Sequence, residues 1–352
     1  MKVAPLYHAL KKEAWAEPLI VHTGQHYDSG LSDSFFEELR LPAPAIQLGI
    51  GSGTHAEQTG KVMIAYEKVL LSERPDLTVV VGDVNSTAAC TLAAAKLGVK
   101  TAHLEAGLRS FDRSMPEEIN RIVTDALADI LWTPSPDAGE NLLREGVPAR
   151  RINFVGNIMI DSLEAILPKL DCAGACRRFG VEAGAYCLAT FHRPSNVDDP
   201  EVLRALCGAL IRAAGCLPIL LPLHPRSEKN LAAHGLLAAL KTAPGMLLHP
   251  PLPYGTFMAL LTGAAAVLTD SGGIQEETTY LGIPCLTVRD NTERPITVTC
   301  GTNRLIKIEQ IFDAIRDVRG RPHPVRKAPE LWDGRTAGRI VESIERELHA
   351  IS

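Results

Sequence analysis

Short apolar runs alternate with longer amphipathic stretches along the whole chain. The apolar runs have the length of buried strands, and the stretches between them repeat apolar residues every three or four positions, as helices do. Strands that alternate with helices in this way form parallel sheets with crossover helices. The predicted strands are residues 18–23, 77–82, 101–104, 130–133, 152–155, 186–191, 218–223, 246–249, 265–269 and 284–288. The predicted helices include residues 57–72, 86–97, 116–128, 201–214, 274–281 and 336–348.

The alternation pauses between residues 157 and 184, where short glycine-containing segments interrupt the pattern. At 352 residues the chain is longer than a single hydrophobic core usually supports. We therefore predict an α/β protein made of two Rossmann-like halves that meet in this segment. The last predicted helix is too long for a frayed tail, so we expect it to pack against one of them.

The segment TDSGGIQEE at residues 269–277 follows the apolar run AAAVL and predicts a buried strand that turns sharply into a helix. Two glycines allow a ligand to approach the backbone, and the first turn of a helix favours an anion. Glu277 lies close enough to accept hydrogen bonds from hydroxyl groups beside a bound phosphate. The alternative is an ordinary strand–turn–helix with Ser271 as the N-cap and Glu277 as a first-turn acid. The hypothesis is a site for a nucleoside diphosphate.

Three carboxylates follow successive predicted strands of the first half. Asp83 and Glu105 each come directly after a strand, and Glu117 begins the next helix. Ligands of parallel sheets bind outside the carboxyl ends of the strands, where such residues can act as general acids and bases. Asp83 could instead cap the following helix, and Glu117 after Pro116 could be a first-turn acid. Glu105 has no helix to cap, which favours a functional role.

The second half places cationic side chains at corresponding positions. His192 and Arg193 follow a predicted strand, and His224 follows the next one. His192 could shuttle a proton or donate a hydrogen bond to phosphate, with Arg193 as a second cation; a satisfied loop histidine is the alternative. Arg294 could reach a ligand or pair locally with Glu293 or Asp290.

Composition narrows the class of protein. With 46% hydrophobic and 22% charged residues the chain resembles ordinary globular proteins, and its net charge of −5 with no basic block disfavours nucleic-acid and acidic-membrane partners. No run has the length of a signal peptide core or a membrane span, so we expect a cytoplasmic protein. Its eight cysteines, without a Cys-x-x-Cys pair, are interpreted as reduced core thiols. Without a dinucleotide fingerprint or metalloenzyme motif, we expect no redox cofactor and no metal.

The chain resembles the non-hydrolysing UDP-N-acetylglucosamine 2-epimerases almost from end to end. The motifs that carry the resemblance are GDVNST at 82–87, HLEAGLR at 103–109, MPEEINR at 115–121, His192-Arg193, TDSGGIQEE at 269–277 and TERP at 292–295. The family's fold implies two Rossmann-like domains facing across a cleft (GT-B-like), with the C-terminal helix crossing back to the first. The domains would then be residues 1–157 with 334–352, and residues 158–333. A homodimer is also implied.

The resemblance implies a role for each matching residue. Asp83, Glu105, Glu117 and His192 would be catalytic. The residues that would bind a UDP-sugar are Lys2, Arg193, Phe257, Ser271, Gly272, Gly273, Glu277 and Arg294. Within that set Glu277 would hold the ribose, while Ser271 and the two glycines would bind the diphosphate with His192.

The implied reaction interconverts UDP-N-acetylglucosamine and UDP-N-acetylmannosamine through departure of UDP, a 2-acetamidoglucal intermediate and re-addition of UDP. It needs carboxylates near the sugar and a tight diphosphate site, but no nicotinamide. Two enzymatic alternatives are a hydrolysing epimerase that releases N-acetylmannosamine and an epimerase for a modified UDP-sugar. The residues do not assign which carboxylate removes the proton and which returns it.

The chain departs from the family pattern at its start and at one further region. Its first residues match the middle of the family's first helix, so the first strand and a Gly-Thr-Arg-Pro-Glu loop are expected to be missing. We expect unpaired strand edges there, from a misplaced start codon or from truncation, which leaves a non-enzymatic UDP-sugar-binding remnant as a further alternative. Gln25, Arg193 and His224 match an activator-binding region of some relatives, whereas Asp28 and Lys61 do not, so we expect no allosteric activation.

Overall fold

The computed structural model describes residues 1–24, 36–320 and 328–349 and divides the chain into two compact units. The first unit is Met1–Ala165 with Glu330–Ser352, and the second is Ile166–Pro329. The division falls at the end of a helix, Ile158–Ile166, instead of before it at the predicted residue 157. The physical reason is that Ile158 packs with Val155 in the core of the first unit.

The strands of the two units agree closely with the apolar runs of the sequence. They are β1 (Val21–His22), β2 (Ile46–Gln47), β3 (Thr78–Val81), β4 (Thr101–Leu104), β5 (Ile130–Thr133), β6 (Ile152–Phe154), β7 (Cys187–Thr190), β8 (Ile219–Pro222), β9 (Met246–His249), β10 (Ala266–Thr269), β11 (Cys285–Val288) and β12 (Asn303–Ile306). The apolar pattern did not predict β2 or β12. β2 is only two residues long, and the polar residues Asn303 and Arg304 interrupt the apolar run at β12.

Helices connect the strands. They are α1 (Val3–Leu10), α2 (His55–Glu73), α3 (Asn85–Lys96), α4 (Pro116–Leu127), α5 (Pro136–Arg144), α6 (Ile158–Ile166), α7 (Cys172–Arg178), α8 (Pro194–Val197), α9 (Pro200–Ala214), α10 (Pro225–Ala233), α11 (Leu237–Thr242), α12 (Tyr254–Gly263), α13 (Gly272–Leu281), α14 (Ile296–Thr299), α15 (Ile311–Val318) and α16 (Thr336–His349). Short 3₁₀ turns occur at Ala149–Arg151, Leu167–Lys169 and Ile308–Gln310. In the described ranges, no helix combines the length and the apolar character that crossing a membrane requires.

The first unit contains a parallel sheet in the order β3-β4-β5-β6. Thr78 is in register with Thr101 across β3 and β4, so the loops that follow these two strands leave the sheet side by side. β1 pairs in parallel with β2 in a separate sheet, and in the part of the chain that the structure describes β3 is an edge strand.

The terminal helix α16 packs into the first unit, where its residues join the core around Trp132. The buried Asp161 carboxylate accepts hydrogen bonds from the N–H groups of Thr336 (3.1 Å) and Ala337 (2.8 Å), which caps the start of α16. The Trp132 indole donates to the Ser343 hydroxyl at 2.9 Å. These contacts explain why the last residues belong to the unit that begins the chain.

The second unit contains a parallel sheet in the order β12-β11-β10-β7-β8-β9. The strand order reverses direction between β7 and β10, which are hydrogen-bonded neighbours at the centre of the sheet. Open α/β sheets bind their ligands at such a switch point, outside the carboxyl ends of the strands. The loops that begin at Phe191 and Asp270 lie there.

Candidate active site

The loops after β3 and β4 bring two of the predicted carboxylates to the same edge of the first unit's sheet. Gly82, which has a φ of +71°, precedes Asp83, and a Cβ added to Gly82 would lie 3.3 Å from Lys2 Nζ and 3.8 Å from Glu105 Oε2. The Glu105 carboxylate therefore packs against the backbone that leads to Asp83. Both residues therefore lie at the same edge of the sheet, and their shared role in one site stays a prediction.

Glu105 is held in an unusual conformation. It is 4% exposed and has a φ of +75°, which is uncommon for a residue other than glycine. Lys2 Nζ donates a hydrogen bond to Oε2, while Oε1 is buried without a hydrogen-bond partner among the described residues. A buried carboxylate oxygen without a partner is costly unless a ligand completes it, so this oxygen is a candidate for contact with substrate.

Asp83 belongs to a buried ion-pair network and does not cap a helix. Val84 occupies the N-cap of α3 with no side-chain cap, so the capping interpretation of Asp83 is wrong. Instead, Arg121 Nη1 donates to Asp83 Oδ2 at 2.5 Å and Arg121 Nη2 donates to Glu118 Oε2 at 2.6 Å. Glu118 also accepts from the N–H groups of Ser110 and Phe111, both at 2.9 Å. Arg121 thus fixes one catalytic candidate against the start of α4.

Glu117 lies in the first turn of α4, directly after Pro116. It is half-buried and has no side-chain partner among the described residues. This position suits both a first-turn acid that complements the helix dipole and a catalytic carboxylate. Its catalytic role therefore stays a prediction.

A second buried network supports the loop after β4. His103 places Nδ1 2.6 Å from Asp125 Oδ1 and Nε2 2.8 Å from the Gly82 carbonyl oxygen. Arg109 donates to Asp125 at 2.7 Å and makes a two-bond contact with Glu145. Burial raises the pKa of Asp125, but His103 and Arg109 outweigh that effect and hold the pKa of this carboxyl below its ordinary value. The network anchors Gly82, which lies between Glu105 and Asp83.

In the second unit, helix α13 begins directly at the switch point. Ser271 occupies the N-cap position, but its hydroxyl makes no capping hydrogen bond, so the interpretation of Ser271 as an ordinary cap is wrong. A Cβ added to Gly272 would lie 2.6 Å from Arg294 Nη1 and 2.7 Å from Glu293 Oε1, so the first residue of this helix must be small. Without a side-chain cap, the N–H groups of the first turn, including that of Gly273, suit an anion.

Arginines surround Glu293 beside this turn. Glu293 is 3% exposed and pairs with Arg294 at 2.5 Å, Arg289 at 2.8 Å and Arg193 at 3.5 Å, and Arg294 Nε also lies 2.7 Å from Glu276. Burial raises the pKa of Glu293, but the arginines hold it well below its ordinary range. The predicted local pair of Arg294 with Glu293 is therefore present. A direct contact between Arg294 and a ligand stays a prediction.

The loop after β7 is tied to the loop after β10 through Asp270. The Asp270 carboxylate is fully buried, and its Oδ1 lies 3.0 Å from His192 Nδ1. Arg193 Nε donates to the Asp270 carbonyl oxygen at 3.0 Å. His192 and Arg193, which the sequence placed at a strand end, are thereby held beside the start of α13.

Glu277 lies in the second turn of α13 and is 3% exposed. Tyr254 donates a hydrogen bond from its hydroxyl to Glu277 Oε1 at 2.7 Å. Burial raises the pKa of Glu277 to about 7, the Tyr254 hydrogen bond acting in the opposite direction. Phe257 lies one turn after Tyr254 in α12 and is half-buried. Glu277, Tyr254 and Phe257 thus provide a carboxylate, a phenol and an aromatic ring.

Glu277→Gln is expected to remove a pH dependence of stability. A carboxyl whose pKa rises from 4.5 to about 7 on folding stabilises the protein fully below pH 4.5 and loses that contribution as the pH rises through about 7. The wild type should lose about 3 kcal/mol of unfolding free energy over this range, whereas the glutamine variant should not. Urea unfolding followed by circular dichroism at pH 5 and pH 8 measures the difference. Glu228→Gln, at an exposed position of α10, is the control, and equal pH slopes in all three proteins would contradict the expectation.

Several residues of the two candidate regions, one in each unit, were not predicted from the sequence as functional candidates. They are Arg121, Glu118, Tyr254 and Asp270. The three-residue spacing of Glu118 and Arg121 on a helix was a visible signal of their pairing, but nothing local indicated that Arg121 reaches Asp83. Gln25 and Asp28, which belong to the activator-region comparison, lie outside the described residues.

The cysteines and metal-binding side chains add little to the site. Each cysteine lies in a described segment and is free, and most are buried, with Cys172 and Cys216 half-buried and Cys300 exposed. Among the described residues no group of three or more His, Cys, Asp or Glu side chains could hold a metal ion.

Comparison with known proteins gives a consistent result. A family model described as UDP-N-acetylglucosamine 2-epimerase matches residues 8–345. The UDP-N-acetylglucosamine 2-epimerase of Methanocaldococcus jannaschii is 44% identical over 313 residues, which cover 87% of this chain and 85% of that protein. The UDP-2,3-diacetamido-2,3-dideoxy-D-glucuronate 2-epimerase of Pseudomonas aeruginosa is 38% identical over 353 residues, 98% of this chain and 96% of that protein.

The solved structures agree with the sequence comparison. A crystal structure of the M. jannaschii enzyme in complex with UDP-GlcNAc and UDP matches with a TM-score of 0.89 at 42% identity. The match covers 98% of this chain and 96% of that one.

Proposed function

The chain belongs to the UDP-N-acetylglucosamine 2-epimerase family, and we propose that it interconverts UDP-N-acetylglucosamine and UDP-N-acetylmannosamine by elimination and re-addition of UDP. It is an isomerase. The observation that carries the proposal is the switch point of the second unit's sheet, where the uncapped start of α13 meets His192 and Arg193. An anion site of this kind suits a diphosphate.

The second unit would bind the nucleotide. Glu277 would accept hydrogen bonds from the ribose hydroxyls, and Phe257 and Arg294 would supply further nucleotide contacts. Ser271, Gly272 and Gly273, together with His192 and Arg193, would bind the diphosphate. The burial of Glu277 supports this role, because a carboxylate there gains more from two hydroxyl donors than one exposed to water.

The carboxylates of the first unit would handle the proton on C2 of the sugar. That carbon is not next to a carbonyl group, so its proton leaves only as charge develops at the anomeric carbon. The C2–H bond breaks with transfer of the proton to a carboxylate, a C1=C2 double bond forms, and the C1–O electron pair leaves with UDP. Protonation of C2 from the opposite face and re-formation of the C1–O bond give the epimer. Asp83, Glu105 and Glu117 are the candidates, with Lys2 acting on Glu105.

A modified UDP-sugar is the second candidate substrate. The P. aeruginosa relative named for a diacetamido-glucuronate sugar matches 98% of this chain, whereas the M. jannaschii relative matches 87%. The same elimination at C2 would apply, because that sugar also carries an acetamido group at C2 and UDP at C1. The difference would lie in recognition of the groups at C3 and C6.

Incubation of the protein with UDP-N-acetylglucosamine in deuterated water tests the proposal. We expect deuterium at C2 and a mixture of the two UDP-sugars, followed by NMR. Release of free N-acetylmannosamine would favour a hydrolysing epimerase, and exchange only with the diacetamido-glucuronate sugar would favour the modified substrate. UDP binding without any exchange at C2 from either sugar would contradict the function and favour a binding remnant.

We infer that the enzyme is a homodimer that uses an apolar stripe on α4. Ile119, Val123 and Leu127 follow one another at four-residue intervals and are 51%, 36% and 37% exposed. Side chains at this spacing lie on one face of a helix, and a continuous exposed apolar face marks an interaction surface. A two-fold interface would bury the stripe of one copy against that of another.

Val123→Glu is expected to convert the dimer to monomer, because it places a charge in the centre of the buried stripe. Light scattering coupled to size-exclusion chromatography measures the mass. Leu143→Glu, at a position of α5 that is 53% exposed, is the matched control and should leave the mass unchanged. A monomeric wild type, or a dimeric Val123→Glu variant, would contradict this interface.

A cytoplasmic location fits the cysteines. All of them are free, and free thiols persist in reducing compartments.

A further inference from the structure

Asp270 is the point at which three loops of the second unit meet. Its carboxylate accepts hydrogen bonds from the N–H of His192 at 3.1 Å, the N–H of Arg193 at 3.0 Å and Asn196 Nδ2 at 3.1 Å. Asn196 also donates to the carbonyl oxygen of Val288 at the end of β11. Asp270 is 0% exposed, so protein groups and not water surround its carboxylate. A carboxylate in this position is oriented by the backbone and not by solvent.

The contact between Asp270 and the His192 ring determines which ring nitrogen faces outward. Asp270 Oδ1 lies 3.0 Å from Nδ1, and an ionised carboxylate only accepts hydrogen bonds. Burial raises the pKa of Asp270, but His192, Asn196 and the backbone outweigh this and hold it below its ordinary value. Nδ1 must therefore carry a proton. Nε2 lies on the opposite side of the ring, and the His192 side chain is 40% exposed.

We propose that Asp270 is a positioning residue that fixes the His192 ring with Nδ1 protonated, so that Nε2 is presented to the diphosphate. This inference rests on the proposed function, in which His192 contacts the leaving UDP. As the C1–O bond breaks, negative charge develops on the diphosphate, and a hydrogen bond from Nε2–H stabilises it. Asp270 stabilises the positive charge of the imidazolium that makes this bond, as the carboxylate does in a Ser-His-Asp triad.

A neighbouring histidine does not compete for this role. The His224 ring lies 5.7 Å from that of His192, and its Nδ1 accepts a hydrogen bond from the N–H of Arg226. Burial, followed by the charges of His192 and Arg226, lowers the pKa of His224. The charged groups that adjoin His192 are Asp270 and Arg193. Asp270 faces the His192 ring at Nδ1, whereas Nδ1 of His224 accepts from the N–H of Arg226.

The first test measures the His192 tautomer directly, in the full-length protein without substrate. Nitrogen-15 NMR distinguishes a protonated from an unprotonated Nδ1, and His192→Gln assigns the signal. We expect a protonated Nδ1 in the wild type at every pH from 6 to 8. An unprotonated Nδ1 in the neutral ring would overturn the proposal, whether or not the protein is an epimerase.

The second test uses Asp270→Asn, which keeps the shape but loses the carboxylate. We expect C2 exchange in deuterated water to slow by about 100-fold, with a change in KM of less than about threefold. Asp199→Asn is the matched control, since Asp199 caps α9 through the N–H groups of Glu201 and Val202 and asparagine caps equally well. That control should keep wild-type exchange.

A double variant separates positioning from support of the loop. If Asp270 acts through His192, then Asp270→Asn combined with His192→Gln should be no slower than His192→Gln alone. If the double variant instead exchanges more slowly than His192→Gln by the factor that Asp270→Asn causes alone, the proposal is overturned. Asp270 would then only support the loop. If Asp270→Asn fails to fold, the tautomer measurement in the wild type decides. Absence of C2 exchange in the wild type would count against the proposed function and leave the tautomer result standing.

Discussion

Glu105→Gln is expected to slow C2 proton exchange by a factor of about 100 to 10,000 while UDP binds as in the wild type. Glutamine keeps the size and planarity of the side chain but can neither take nor return a proton. In the structure Glu105 pairs through one oxygen with Lys2, and its other oxygen is buried without a partner among the described residues. UDP affinity should persist because its proposed contacts lie in the second unit.

The measurement combines NMR of deuterium incorporation at C2 with calorimetry of UDP binding. Glu140→Gln, at a side chain of α5 that is 68% exposed, is the matched control and should exchange at the wild-type rate. Exchange within threefold of the wild type in Glu105→Gln would remove this residue from the mechanism. A loss of UDP affinity instead would assign Glu105 to binding.

Arg121→Met is expected to lower the free energy of unfolding of the first unit by about 3–5 kcal/mol. Arg121 is 1% exposed and bridges Asp83 to Glu118, which is itself 1% exposed. Methionine fills much of the same volume but leaves Glu118 as a buried charge without its cation. Asp83 also loses the partner that holds it at the start of α4, so C2 exchange should fall together with stability.

Tryptophan fluorescence during urea unfolding reports on this unit alone. The chain has three tryptophans, Trp15, Trp132 and Trp332, and all of them lie in the first unit. Arg144→Met is the control, because its pair with Glu140 spans 3.7 Å between side chains that are 64% and 68% exposed. Exposed pairs of that kind contribute about 0–1 kcal/mol. A stability change below about 1 kcal/mol for Arg121→Met would show that the network does not hold the loop after β3.

The strands of both sheets could be predicted from the chain, because buried parallel strands are continuous apolar runs. β4, β5 and β9 begin and end at the predicted residues. β12 was not predicted because the polar residue Asn303 occupies an interior position of the strand. Asn303 is buried there with hydrogen bonds to Thr287 and Gln275, whereas the pattern used for prediction expects apolar residues at interior positions. Contacts from other elements, not local preference, place that strand.

Part of the candidate site could also be predicted, since residues after strands gather at the carboxyl edge of a parallel sheet. That rule placed Asp83 beside Glu105, and His192 and Arg193 beside the start of α13. It did not assign partners. The pairing of Asp83 with Arg121 joins positions 38 residues apart, and that of His192 with Asp270 joins positions 78 residues apart.

From the chain alone one can predict the alternation of strands and helices, the two-unit α/β class and the strand ends at which chemistry is possible. Each of these follows from local periodicity and from residues adjacent in the chain. Only the folded protein shows that α16 joins the first unit, that Ser271 leaves the start of α13 uncapped, and that Nδ1 of His192 faces Asp270. These depend on distant side chains meeting in buried surroundings, where a single hydrogen bond or ion pair selects one arrangement among several that the chain alone permits.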